Sequence, residues 1–153
     1  MLEMLGVGAV LPALHAYAQC GQWAPEVLRT WAPGLLALCL ASALASGLSD
    51  EESDRAGGKR TFTTAWGNRV VRRAAEAALA AGGLLWLLPG RWGSLATLPV
   101  VFFGVRAWRA SPAAVTNAFK AQGVYKQELH RAIWWGTLLL SGLVLVDGGG
   151  GTR

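Results

Sequence analysis

Charge is scarce in this chain. Only 15% of its 153 residues are charged while 53% are hydrophobic, and the mean hydropathy is +0.35. A soluble domain is normally about a quarter charged. Polar tracts long enough to stay solvated are missing, which excludes an intrinsically disordered chain. Cysteine is nearly absent too: Cys20 and Cys39 alone cannot staple a chain of this length, so a secreted disulfide scaffold is excluded. The two histidines, His15 and His130, have no cysteine nearby at ligand spacing, and they give no zinc or haem site. No Lys or Arg precedes Arg29, so the opening apolar run lacks the basic start of a cleavable signal and reads as a retained helix. No internal repeat is evident, and the glycines at 148–151 lack the following Lys-Ser of a phosphate loop.

What is present points to an integral membrane protein. A bilayer core about 30 Å thick needs about 20 apolar helical residues. The sequence predicts five spans, at Met4–Pro25, Thr30–Ser49, Ala74–Pro89, Trp92–Trp108 and Ala132–Val146, the later three lengthened by terminal arginines that snorkel to the headgroups. The expected fold is therefore an all-α polytopic membrane helix bundle over residues 1–147, followed by a flexible tail at 148–153.

Basic residues set its orientation. Six lie between Arg55 and Arg73 and five between Arg106 and Arg131, against Arg29, Arg91 and Arg153 elsewhere. Eleven against three, alternating correctly, places both long loops in the cytoplasm and the protein in the inner (cytoplasmic) membrane. The net charge of +5 is explained by this orientation, so no nucleic-acid partner is expected. Trp23, Trp31, Trp86, Trp92, Trp108, Trp134 and Trp135 sit where an interfacial belt is expected, whereas Trp66 lies inside the first basic loop.

Residues 49–73 concentrate the chemistry. Asp50 and Asp54 are four apart, on one helix face if the second span runs through them. There they repel each other and oppose the helix dipole, costs that a cation offsets. Magnesium suits them, because it takes one or two carboxylates together with phosphate oxygens and water. Arg55, Lys59 and Arg60 supply donors for a phosphate, and Gly57-Gly58 lets backbone approach closely. The alternative is a solvated loop whose acids and bases pair with one another.

The order of these residues adds to the reading. An apolar helix, then Asp50-x-x-x-Asp54-Arg55-x-x-Gly58-Lys59-Arg60-Thr61, then Gly67 and a further helix, resembles the second aspartate-rich motif of the UbiA superfamily of intramembrane prenyltransferases. The Gly-Lys-Arg-Thr run is most similar to the branch that prenylates dihydroxynaphthoate in menaquinone synthesis. The resemblance implies the second half of a nine-helix fold, with a chamber open to the lipid bilayer. It implies transfer of an isoprenyl group from an isoprenyl diphosphate to an aromatic or quinone-precursor acceptor. Asp50 and Asp54 would hold Mg2+, and Lys59, then Arg55 and Arg60, would bind diphosphate. Glu51 and Glu52 would be spectators, and no residue is assigned as the catalytic acid, base or nucleophile. The family's first motif, an Asn followed by two spaced aspartates, is missing here, so an N-terminal half is an expected partner. The rival expectation is a non-catalytic five-helix scaffold or partner subunit.

Other polar residues admit two readings each. His15 with Gln19 either meets an aromatic substrate or hydrogen-bonds a neighbouring helix. Cys39 reads as packing, and Glu76 as an ion-pair partner of Arg72 and Arg73. Asn117, Lys120, Tyr125, Lys126 and His130 form either a substrate lid or, with Val115, Phe119, Val124 and Leu129 on the other side, an interfacial helix.

Overall fold

The computed structural model describes residues 25–88, 90–114 and 119–149, and all regular structure there is helical. The helices are α1 (Pro25–Ser46), α2 (Glu51–Ala56), α3 (Phe62–Trp66), α4 (Asn68–Leu87), α5 (Arg91–Ala114) and α6 (Phe119–Gly149). The all-α expectation is met. The first predicted span up to Ala24, with His15, Gln19, Cys20 and Trp23, lies outside the described residues, as do Val115, Asn117 and residues 150–153. Glycines 148 and 149, set in the expected tail, end α6.

Among the described residues no helix is long and apolar enough to cross a membrane. The reason lies in how the charges are carried. Arg69, Arg72, Arg73 and Glu76 occupy the first half of α4, and α5 continues past Arg106 and Arg109. Most of the second long loop expected from the sequence is helix as well. The α6 helix takes in the whole stretch from Phe119, so the candidate interfacial helix is its first part, with Leu129 buried and Val124 exposed.

The helices α1 and α6 pack on each other and on α4 and α5 respectively, and α4 contacts α5. Small residues set the spacing. At the α1–α4 crossing, Gly34 faces Trp86 and Gly82 faces Leu38, so closely that an added Cβ would lie 2.3 Å from Trp86 Cδ1 and 2.7 Å from Leu38 Cγ. Gly136 of α6 makes the matching approach to Val100 and Trp86. Interfaces of this kind depend on backbone proximity and close van der Waals packing. Trp86 is fully buried in this junction, and its Nε1–H donates to the Trp31 carbonyl at 3.3 Å. It is therefore a core residue, correcting its assignment to the belt, whereas Trp108, Trp134 and Trp135 are exposed.

Buried charge gathers toward one end. Glu76 accepts from Arg72 (3.4 Å), Arg73 (3.2 Å) and the Ser111 hydroxyl, confirming the expected local pair and extending it to α5. The Tyr125 hydroxyl donates to the Arg72 carbonyl at 3.2 Å, linking α6 to α4. Glu128 of α6 accepts two hydrogen bonds from Arg106, at 2.9 and 3.1 Å, and one from Arg131 at 3.0 Å. Those donors, Arg106 first, hold its carboxyl below the usual glutamate range although burial pushes the other way.

Candidate functional site

The expected continuous helix through Asp50 and Asp54 is not formed. The α1 helix stops at Ser46, a turn follows, and Asp50 is the N-cap of the separate short helix α2. The Asp54 amide donates to the Asp50 carbonyl at 2.8 Å, so the two aspartates still bracket one turn. Glu51, Glu52 and Asp54 all fall in the first turn of α2. The helix dipole favours acids there, so the electrostatic cost expected at the end of a longer helix does not arise.

Most of the loop's charges find partners within it. Arg55 pairs with Glu51 at 2.8 Å, and Lys59 approaches Asp54 at 3.6 Å. Glu51 is buried, and among the described residues its second carboxylate oxygen has no hydrogen-bond partner. Gly58 has φ +66° with nothing within 4 Å of an added Cβ. Its left-handed conformation forms the turn that ends α2.

The α3 helix is fixed by a reciprocal cap: the Thr64 amide donates to Thr61 Oγ1 at 3.3 Å, and the Thr61 amide donates to Thr64 Oγ1 at 2.8 Å. Thr63, buried, ties α3 back to the end of α1 by donating to the Gly47 carbonyl at 3.0 Å. This closure leaves a cavity of about 780 Å³ between the end of α1, the turn at Asp50, α3 and α6. Its polar wall is Asp50, Arg60 and Lys126, and its apolar wall includes Leu44, Phe62 and Trp66. The Lys126 ammonium reaches across from α6 to donate to Ser49 Oγ at 3.5 Å, and Ser49 Oγ donates to Asp50 at 3.3 Å. The Phe62 and Trp66 rings meet at 4.7 Å, giving an aromatic face beside the charged one.

The structure therefore separates the residues that the sequence grouped. Asp50 and Arg60 border the cavity, whereas Asp54, Arg55 and Lys59 lie in the paired part of the loop. Lys126 joins the site from a helix 66 positions beyond Arg60, and nothing in the local motif marks it. Trp66, left open by the sequence, becomes a wall residue. His130, also offered for a lid, is pushed below the ordinary imidazole range by burial, with the Lys126 cation acting in the same direction. It faces other spaces, beside Trp134.

Among the described residues no group of three or more His, Cys, Asp or Glu side chains is placed to hold a metal ion. Asp50 is exposed at the cavity and makes no ion pair among the described residues, while Asp54 shares its carboxylate with Lys59. A bound anion would find Arg60, which makes no ion pair among the described residues, and Lys126 on the opposite wall. Comparison with known protein families, curated proteins and solved structures returns no match to this chain.

Proposed function

We propose that the chain forms the second-motif side of an intramembrane, magnesium-dependent prenyltransferase, acting with a segment that carries the first aspartate motif. One observation carries this reading: a single cavity joins Asp50, Arg60 and Lys126 to the aromatic face of Phe62 and Trp66. Arg60 and Lys126 would bind the diphosphate oxygens, with Asp50, aided by Asp54, holding Mg2+ beside them. Magnesium, when bound, neutralises charge on the departing diphosphate. Phe62 and Trp66 would shield the allylic carbon from water and present a flat surface to an aromatic acceptor.

The membrane part of the proposal rests on where apolar groups are left uncovered. Leu84, Leu88, Leu98, Val101, Phe102 and Leu138 are all more than half exposed, while Arg72 and Glu128 are buried. A bilayer is one environment that accepts such an outer surface. Lipid around the apolar halves, with the charged first halves of α4 and α6 toward the cytoplasm, would reconcile that surface with the charge these two helices carry. Reporter fusions at Lys59 and Lys120 should then read cytoplasmic and one at Gly90 external. A cytoplasmic reading at Gly90 would overturn the five-span arrangement.

The site is tested by substitution. Asp50→Asn should weaken magnesium-dependent binding of an isoprenyl diphosphate about tenfold or more, because a charged ligand at the cavity is lost. Asp54→Asn should do less, since that carboxylate does not line the cavity and is shared with Lys59. Unchanged magnesium dependence in both variants would favour the second reading, a non-catalytic scaffold or partner subunit. The ion pairs closed within the loop are the observation on its side.

A further inference from the structure

A second cavity, of about 580 Å³, lies between the start of α4 and the end of α5. Four arginines line it, Arg69, Arg72 and Arg73 from α4 and Arg109 from α5, together with Ser111 and Trp108. No acidic residue lines it. Glu76, the nearest counter-charge on α4, is already shared among Arg72, Arg73 and Ser111, and Arg69 and Arg109 form no ion pair among the described residues. Arginines that merely mark a membrane boundary keep their heads in water. Arg72 does not: it is only 4% exposed, and its buried Nε–H has no hydrogen-bond acceptor. A buried guanidinium with an unanswered donor, beside three more of the same sign, is costly unless an anion completes it.

We infer that this cavity binds a phosphate group. Planar guanidinium forks match phosphate oxygens in bidentate geometry, and converging arginines are a common solution for that anion. The Ser111 hydroxyl lines the same space, and Trp108, 60% exposed, offers an apolar ring to whatever carries the phosphate. The phosphate comes either from a lipid headgroup or from a free phosphate compound. The site is distinct from the Asp50 cavity, with which it shares no lining residue.

The test uses the full chain in neutral detergent and magnesium-free buffer. Inorganic phosphate is titrated in one arm, and phosphatidylglycerol in mixed micelles in the other. Arg69→Gln with Arg109→Gln changes two exposed, unpaired side chains and spares the buried network. It should cost at least about tenfold in affinity for the ligand that binds. The doubly substituted control Arg29→Gln with Arg131→Gln removes equal charge elsewhere and should leave that affinity unchanged. Phosphate binding lost in the first variant identifies a free ligand. Binding of phosphatidylglycerol alone, lost in the same variant, identifies a headgroup. Absence of binding in both arms, equal affinity in the Arg69 and Arg109 variant, or an equal loss in the control would overturn the inference.

Discussion

Gly82→Leu is expected to destabilise the protein by about 3 kcal/mol, measured as thermal or denaturant unfolding in detergent. Even the first added carbon would lie 2.7 Å from Leu38 Cγ and 3.0 Å from the Gly34 carbonyl oxygen. Leu38 has no room to move aside, because it is fully buried. On the other side of the crossing, Gly34 lies against the Trp86 indole, so the strain would pass to the largest fully buried side chain. The α1–α4 contact would open, and the Trp86 hydrogen bond to Trp31 would go with it. Gly123→Leu is the matched control. Nothing lies within 4 Å of its added Cβ, so replacing a helical glycine there should be neutral or mildly stabilising, by up to about 1 kcal/mol. Equal stability of the two variants would refute the packing of α1 on α4.

That crossing also shows how far the sequence could be read. Apolar runs located the helices, because burial of nonpolar surface is written into local composition. The fate of a particular indole was not written there. Trp86 sits near a helix end, as a belt residue does, yet it is buried because Gly34 and Gly136 leave it space from two other helices. Helix continuation through charged stretches was equally hidden. Arg106 read as a snorkelling terminus; its side chain is half exposed, yet it makes a two-pronged bond to buried Glu128, 22 residues on, which no local spacing announces. Short-range charge pairs fared better, as Glu76 with Arg72 and Arg73 shows, since three- and four-residue spacing decides them.

The candidate site was legible in part for the same reason. The motif pointed to Asp50 and Arg60, which border the cavity. It also named Lys59 and Arg55, whose partners are Asp54 and Glu51, because spacing does not say which charges are satisfied at home. The break after Ser46 was missed, although Gly47 and Ser49 stand there, and with it the favourable placement of the acids in a new first turn. Lys126 was offered by the sequence only as part of a lid, and its place beside Asp50 comes from the tertiary fold that brings α6 over that turn.

The second large effect concerns activity. Ionising an allylic diphosphate requires its charge to be spread over more than one cation and its product to be kept from water. The Asp50 cavity supplies one unpaired carboxylate and two cationic walls. On the proposed reading such a cavity would bind a diphosphate without by itself completing the neutralisation. The 153-residue chain alone is therefore expected to give no measurable prenyl transfer to an aromatic acceptor. A separate segment bearing an Asn and two spaced aspartates should restore it, because helices of divided membrane proteins reassociate through packing and interhelical hydrogen bonds. Asp50→Asn should abolish the restored activity, whereas Gly123→Leu should not.

The decisive measurement is a membrane assay of prenyl transfer with magnesium, an isoprenyl diphosphate and an aromatic acceptor, run with and without that segment. Transfer only when both are inserted, and lost in Asp50→Asn, is the expected result. Robust turnover by this chain alone, or none when both parts are correctly inserted, would contradict it.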